Sequence, residues 1–146
     1  PFDDDGVATQ DREVVEAGVL KGYFLSTYSA RKLGMRTTGN AGGSHNLIVR
    51  PGKRDLVGLA ALMGRGLLVT EVLGQGVNYV TGDYSRGASG YWVENGEIRH
   101  PVQEITIAGN LKDMLRDIVA VGSDVLVRGS KQVGSILLER MTIAGA

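Results

Sequence analysis

Apolar and polar positions alternate over short runs along most of the chain, and glycines separate these runs. Alternation with a period of two indicates half-buried strands, and glycine-rich breaks between strands indicate tight turns. The run Val14–Leu25 predicts a hairpin that turns at Glu16-Ala17-Gly18. Leu47–Val49 predicts a short buried strand, and Leu67–Leu73, which is rich in β-branched residues, predicts a further strand.

The second half of the chain carries the strongest strand signals. From Val77 to Val102 the pattern predicts a series of hairpins, of which the clearest turns at Asn95-Gly96. An Asn-Gly pair between two alternating runs is the strongest short-range hairpin signal, because both residues accept the positive φ angles of a tight turn. "EITIAG" predicts another strand, and "DVLVRG" and "SILLERMTIAG" predict two final ones.

Three segments carry helix signals. Ser26–Leu33 predicts one or two helical turns, and Asp55 is a plausible N-cap for a short apolar helix over Leu56–Met63. Asn110 caps a longer predicted helix, Leu111–Val121. Its apolar residues form one stripe, namely Leu111, Met114, Leu115, Ile118 and Val119. Together the elements predict an α+β fold with a mainly antiparallel, strongly curved or barrel-like sheet and two or three short helices.

Composition narrows the function classes. The 146 residues fit one domain, with 42% hydrophobic and 22% charged residues, which is typical of a globular protein. Sixteen basic residues balance 16 acidic ones, which argues against direct nucleic-acid binding because that requires a basic face. No apolar run reaches the roughly 20 residues that a membrane helix needs. Because the chain begins at Pro1, we interpret it as a piece of a longer protein.

The sequence gives little support for a metal site, a catalytic nucleophile or a nucleotide-binding loop. Cysteine is absent, and the two histidines, His45 and His100, are 55 positions apart. A hydrolytic zinc needs several imidazole, carboxylate or thiolate ligands, so we expect no metal site in this chain. The alternative is that one of these histidines completes a site formed by distant ligands. Gly82–Gly87 does not fit a nucleophile elbow, and Gly74–Tyr79 lacks the third glycine of a dinucleotide-binding loop.

Polar residues flanked by glycines form a candidate binding group. Tyrosine and arginine are the residues most often found at binding hot spots, although ordinary turns explain the same composition. The group comprises Tyr28, Arg31, Asn40, His45, Asp83, Tyr84, Ser85 and Arg86. Five of these are the candidates for binding a partner chain or a peptide: Tyr28, Arg31, His45, Tyr84 and Arg86. The run Asp3-Asp4-Asp5 predicts a solvated turn rather than an acid pair or a calcium site.

Long ordered runs of the chain resemble one protein family. They are "PFDDDGVATQ", "GVLKGYFLSTYSARKLGMRTTGNAGG", "GDYSRGASGYWVENGEIRHPVQEITIAGNLKDM" and "GSILLERMTIAG". The chain resembles the PmbA/TldE branch of the TldD/PmbA metallopeptidase family, whose members also carry the name modulator of DNA gyrase. The resemblance implies that residues 1–146 form the C-terminal domain of a longer PmbA/TldE-like protein.

The resemblance also implies a function and a partner. It implies a bacterial, cytoplasmic system in which a TldD-type subunit and a PmbA/TldE-type subunit form a heterodimer that acts on unfolded polypeptides and in peptide maturation. The resemblance further implies that the zinc site belongs to the TldD-type partner, through an HExxxH helix and a cysteine, and neither occurs in this sequence. We therefore expect a non-catalytic domain without a cofactor. The alternatives are a direct share in a metallopeptidase active site and a module that binds DNA gyrase. We also expect the isolated chain to self-associate through exposed strand edges.

Overall fold

A computed structural model describes residues 1–145, which contain eleven strands and three short helices. In chain order the elements are β1 (Val15–Glu16), β2 (Val19–Leu20), α1 (Thr27–Lys32), β3 (Leu47–Ile48), α2 (Leu56–Met63), β4 (Arg65–Leu73), β5 (Asp83–Glu94), β6 (Glu97–Asn110), α3 (Leu111–Arg116), β7 (Ile118–Val121), β8 (Leu126–Arg128), β9 (Lys131–Val133), β10 (Ile136–Leu138) and β11 (Thr142–Ala144). None of these helices is of a length and apolarity that would carry it through a membrane.

The chain divides into two compact units. Unit 1 comprises Pro1–Leu47 and Gly129–Lys131, and unit 2 comprises Ile48–Arg128 and the chain from Gln132 onward. Strands pair in four sheets, of orders β1-β2, β10-β7, β11-β6-β5-β4 and β3-β9-β8. The predicted α+β class, with mostly antiparallel sheets and three short helices, is confirmed.

Unit 1 holds the first hairpin and the first helix where the sequence predicts them. β1 and β2 are antiparallel, and Ala17 and Gly18 lie at the turn with positive φ angles. α1 begins at a reciprocal cap, because the Ser26 Oγ accepts from the Ser29 backbone N–H at 3.2 Å and the Ser26 N–H donates to the Ser29 Oγ at 2.9 Å. These bonds satisfy two donors that a helix start leaves without a helical partner.

Asp3 ties together two distant parts of unit 1. Its side chain is only 6% exposed. One carboxylate oxygen accepts from the N–H groups of Asp5 and Val7 at 3.0 and 2.8 Å, and the other accepts from the Ala41 N–H at 2.9 Å. Burial by itself raises the pKa of Asp3, but these backbone donors, helped by the charge of His45, bring the pKa below its usual value. At Asp3 the predicted solvated turn is therefore wrong.

The largest sheet lies in unit 2 and is built on one long hairpin. β5 pairs with β6 from Asp83↔Asn110 to Glu94↔Glu97, and the turn residues Asn95 and Gly96 have φ angles of 55° and 77°. These positive angles are those of the tight hairpin turn that the Asn-Gly pair predicts. A series of hairpins between Val77 and Val102 is not formed, because the small and polar residues within β5 stay paired with β6 on one side and β4 on the other.

The core of unit 2 is thin. Ala88, Ile105 and Ile107 form its buried cluster. Partly buried hydrophobic residues surround this cluster: Leu67, Val69, Tyr84, Val102 and Met141. Ala88 lies opposite Ile105 across the hairpin, so the cluster depends directly on the pairing register.

The predicted barrel-like or strongly curved sheet is wrong. The four-stranded sheet begins at β11 and ends at β4, and in the range 1–145 no sheet is closed or strongly curled. Closure would require β4 and β11 to pair with each other. The irregular stretches of the sequence appear instead as register shifts between β5 and its neighbours, for example between Ala88 and Gly90.

Two further differences from the sequence prediction concern short elements. Asn110 caps α3 through its Oδ1, but the helix ends at Arg116 rather than continuing to Val121. Ile118–Val121 is instead a strand that pairs with β10, an arrangement that suits its β-branched residues. The predicted strand "SILLERMTIAG" forms two strands, β10 and β11, and Leu47–Ile48 is exposed rather than buried. α2 is confirmed with its cap, since the Asp55 Oδ1 accepts from the Gly58 N–H at 2.9 Å.

We predict that Gly90→Ala destabilises the chain by about 1–3 kcal/mol or more, because overpacking forces the backbone to shift. A Cβ at position 90 would lie 1.9 Å from the carbonyl oxygen of Leu68 in the neighbouring strand. Gly87→Ala is the matched control in the same strand, since the nearest atom to its Cβ would be the Leu73 Cβ at 3.5 Å. Urea unfolding of both variants measures the difference. Equal unfolding midpoints would contradict the close packing of β4 on β5.

We predict that Asp3→Asn lowers the free energy of unfolding at pH 7, because an amide cannot accept all three backbone bonds. The pKa of Asp3 is lowered in the folded state, so its stabilising effect is present above the pKa of the unfolded chain and is lost as the pH falls through the folded pKa. The difference from wild type should therefore shrink below about pH 4. Asp4→Asn, at an exposed neighbouring carboxylate, is the control. Identical unfolding curves for wild type and Asp3→Asn from pH 7 to 3 would contradict this role.

Candidate functional site

The five candidate binding residues are distributed over both units. Tyr28 and Arg31 lie on α1, and His45 lies in a glycine-rich loop, Arg36 to Asn46, all in unit 1. Tyr84 and Arg86 lie on β5 in unit 2. The structure therefore brings the candidates together as two separate groups.

The unit 1 group is an exposed helix face. The Tyr28 ring lies in solvent, with the Lys32 Nζ 5.2 Å from its centroid. Arg31 is also exposed and lies three positions after Tyr28, on the same side of the helix. An aromatic ring beside two cations can bind an extended chain through stacking and through carboxylate groups.

The glycine-rich loop beside this face is anchored by a residue that the sequence reasoning missed. The Arg12 guanidinium donates to the Tyr23 carbonyl at 2.6 Å and to the Asn40 Oδ1 at 3.0 Å, and it lies 5.3 Å from the centroid of the Phe24 ring. Asn40 is thus engaged in holding the loop. No local signal marks Arg12, because its hydrogen-bond partners are 11 and 28 positions away in sequence. His45, in the same loop, is exposed.

The unit 2 candidates are engaged within their own unit. Arg86 donates from Nε to the Leu73 carbonyl at 3.4 Å and from a terminal nitrogen to the Gly74 carbonyl, so it fixes the end of β4. Tyr84 is half-buried against the core cluster. Of the two, only the Tyr84 side chain borders a cavity.

This cavity is an apolar groove of about 600 Å³ in unit 2. Its lining includes Leu59, Met63, Leu67, Val69, Leu137 and Met141. Arg65 and Arg140 also line it, but Arg65 lies over the Trp92 ring at 5.4 Å and Arg140 pairs with Asp117 at 3.3 Å. The groove is therefore a mostly apolar surface whose two cations already have partners.

Three side chains bear on catalysis, namely Ser85, His45 and His100. Ser85 lies inside β5 opposite Ala108, so the strand-turn-helix of a nucleophile elbow does not form around it. His100 lies on β6 opposite Trp92 in unit 2, and His45 lies in unit 1. Within residues 1–145, no three His, Asp or Glu side chains are grouped so that they could hold a metal ion.

Comparisons with known proteins show which protein family this chain is similar to. The family model described as the PmbA/TldA metallopeptidase C-terminal domain matches residues 1–145. A metalloprotease PmbA homolog of Haemophilus influenzae is 60% identical over 99% of this chain, which covers 32% of that protein. A crystal structure of a candidate modulator of a DNA gyrase from Thermotoga maritima superposes with a TM-score of 0.91 at 46% identity, over 99% of this chain and 35% of that one. The chain thus spans about a third of the length of these relatives.

A more distant relative is named as a zinc enzyme. It is a zinc metalloprotease TldD homolog of Saccharolobus solfataricus, 29% identical over 84% of this chain and 30% of that protein. The residues present here do not fit a zinc ion, since the chain has no cysteine and, within residues 1–145, no three His, Asp or Glu side chains are grouped. The match of the family model over 145 residues and the identity to PmbA homologs show that the chain belongs to the PmbA/TldA metallopeptidase C-terminal domain family.

Proposed function

We propose that this chain is the C-terminal domain of a PmbA/TldE-type subunit that works in the bacterial cytoplasm with a zinc-carrying TldD-type subunit. The assembly cleaves unfolded polypeptides and matures peptides, and this domain is its non-catalytic part. One observation carries the proposal. This member of a metallopeptidase family has no thiol and only two histidines in its sequence, and in the part of the chain that the structure describes no three possible metal ligands are grouped.

The coordination chemistry supports this division of labour. A hydrolytic zinc takes three protein ligands and keeps a fourth position for water. His45 is exposed on a loop, and His100 is exposed on β6 within a paired stretch of the sheet. Turnover would have to use ligands from outside this chain, and the proposal assigns the zinc to the TldD-type partner.

Two surfaces support a share in binding extended polypeptides. In unit 2, β4 is the last strand of its sheet, so one side of its backbone has no strand partner, and the apolar groove lies beside it. A sheet edge next to apolar pockets can accept a peptide as an additional strand. Tyr84 borders this groove, and Arg86 holds the end of β4 in place. In unit 1, Tyr28, Arg31 and His45 supply exposed groups for the same purpose.

We predict that the full-length protein alone does not hydrolyse an unfolded peptide and that the mixture with its TldD-type subunit does, because only the partner supplies zinc. The measurement is peptide cleavage together with the zinc content of each purified protein. His45→Ala/His100→Ala in the mixture should leave kcat within about twofold of wild type, because neither imidazole holds the zinc, and any lost substrate contact of His45 should raise KM alone. Stoichiometric zinc in this subunit alone, or a large loss of kcat in the double variant, would instead favour a direct role in the active site.

The gyrase alternative makes a different prediction for the same purified protein. It requires a stable complex with a gyrase subunit and none with the TldD-type subunit. Direct DNA contact is a poor explanation of that name, because the chain has no net charge. A pull-down from the same preparation separates these outcomes.

We also predict that the isolated 146-residue chain self-associates, since β4 and β11 both leave one strand edge without a partner in its sheet. Light scattering over a range of protein concentrations should give a mass that rises above that of the 15.5 kDa monomer. A constant monomer mass at high concentration would contradict the prediction.

A further inference from the structure

The tight turn between β5 and β6 carries a chemically labile pair, Asn95-Gly96. Asparagine is a thermolabile residue, because the backbone nitrogen of the next residue can attack its side-chain amide carbon. A glycine in that next position favours the attack, since it has no Cβ to hinder ring closure. No other asparagine of the sequence precedes a glycine, and Asn95 is exposed. Asn95 is therefore the amide of this chain that is best placed to react.

The reaction needs only water as a co-reactant. The Gly96 nitrogen loses its proton and bonds to the Cγ of Asn95, and the side-chain nitrogen leaves as ammonia, which closes a succinimide ring. Water then opens the ring at either carbonyl. One product has aspartate at position 95, and the other has isoaspartate, in which the main chain runs through the side-chain carbon.

The fold holds the attacking nitrogen in a hydrogen bond. The Gly96 N–H donates to the Gly64 carbonyl at 2.8 Å. Gly64 is the C-cap of α2, and its own N–H donates to the Ala60 carbonyl at 3.0 Å. While a carbonyl accepts the Gly96 proton, the nitrogen is stabilised in its protonated form, which cannot attack. The end of α2 thus protects the labile pair.

The turn also has little room to change shape. A Cβ at position 96 would lie 2.9 Å from the Ala61 Cα, so the Gly96 backbone lies directly against α2. The φ angles of Asn95 and Gly96, 55° and 77°, are those of the tight hairpin turn. The succinimide ring is planar, so its closure rotates the Asn95 backbone out of this geometry. The turn must first separate from α2, and such openings occur locally without unfolding of the whole chain.

The modification would affect the sheet as well as the turn. Pairing of β5 with β6 begins at Glu94↔Glu97, directly beside the turn. Isoaspartate lengthens the backbone of the turn by an atom, so we expect this first pair to break. A change at one exposed amide would thereby reach the long hairpin on which unit 2 is built.

We propose that Asn95 is a deamidation site that is closed while the Gly96 N–H is bonded to Gly64 and open when the turn separates from the end of α2. This site is independent of the partner and of the activity assigned above. The modified chain carries either aspartate or isoaspartate at position 95.

The test compares two glycine substitutions in the full-length protein. Gly64→Ala places a side chain at a φ of 67°, where a Cβ meets no atom within 4 Å, so it strains only the backbone that presents the carbonyl. Gly34→Ala is the matched control, because Gly34 follows α1 in unit 1 with a φ of 65° and equally free space.

Mass spectrometry of peptides, followed over days at neutral pH, measures the rate of deamidation at position 95. The rate should be at least about fivefold higher in Gly64→Ala than in wild type, and unchanged in Gly34→Ala. A rate in Gly64→Ala that matches wild type would overturn the proposal. Equal acceleration in both variants would overturn it as well, because it would show reaction through unfolding of the whole chain.

Two measurements on the wild-type protein need no variant. Deamidation of the chain unfolded in urea should be about tenfold or more faster than in the folded protein. Equal rates would overturn the protection, and absence of deamidation in urea would overturn the site. Hydrogen exchange of the Gly96 amide should be slow in the folded protein, and exchange at the rate of the unfolded chain would overturn the bond to Gly64. None of these readouts depends on activity, so the proposed function is tested separately.

Discussion

The pairing of β5 with β6 is the constraint on which unit 2 depends. The Asn95-Gly96 turn begins the pairing, and two register shifts between Val93 and Ala88 then place Ala88 opposite Ile105 in the buried cluster. Because side chains alternate between the two faces of a strand, a slip by one residue would move this cluster to the opposite face. The partly buried hydrophobic residues packed against the cluster would lose these contacts at the same time. The other end of the same pairing, Asp83↔Asn110, positions both the Asn78–Gly82 turn and the cap of α3.

Unit 1 is stabilised in a different way. Its buried hydrophobic residues are few and mostly small, namely Leu25, Ala30 and Ala41. Hydrogen bonds from the side chains of Asp3 and Arg12 connect its segments instead, since they reach two neighbouring residues of the glycine-rich loop, Ala41 and Asn40. A carboxylate that accepts three backbone bonds makes this unit sensitive to acid, because protonation removes acceptor capacity at a buried position. Because unit 1 buries few apolar side chains, polar contacts hold its loops in place.

Two observations on the described residues bear on function: zinc ligands are not grouped in them, and several of their surfaces are suited to binding. The family is one of metallopeptidases, yet the ligands that zinc requires are not grouped in the described residues. What the chain offers is an apolar groove beside an edge strand and an exposed tyrosine flanked by cations on α1. The proposed function uses these surfaces to bind polypeptide chains beside a catalytic partner.

Local chemistry in the sequence determined the elements whose signals lie within a few residues. The caps at Ser26, Asp55 and Asn110 and the turn at Asn95-Gly96 could be predicted because the bonds that form them join near neighbours. The family resemblance likewise follows from the sequence alone, since it rests on long ordered runs of residues.

Tertiary structure decided the features that depend on distant partners. Ile118–Val121 has a helical pattern but forms a strand, because β10 supplies backbone partners 15 or more positions away. The sheet stays open because β4 and β11 do not meet, and no local pattern encodes that fact. The same holds for the candidate site. The sequence predicts Arg86 as a binding residue, but in the fold its guanidinium donates to a backbone carbonyl of β4. The sequence gives no sign that the Tyr79 side chain is exposed, and only the fold shows it. Exposure and long-range pairing are properties of the folded chain, so a sequence read residue by residue cannot supply them.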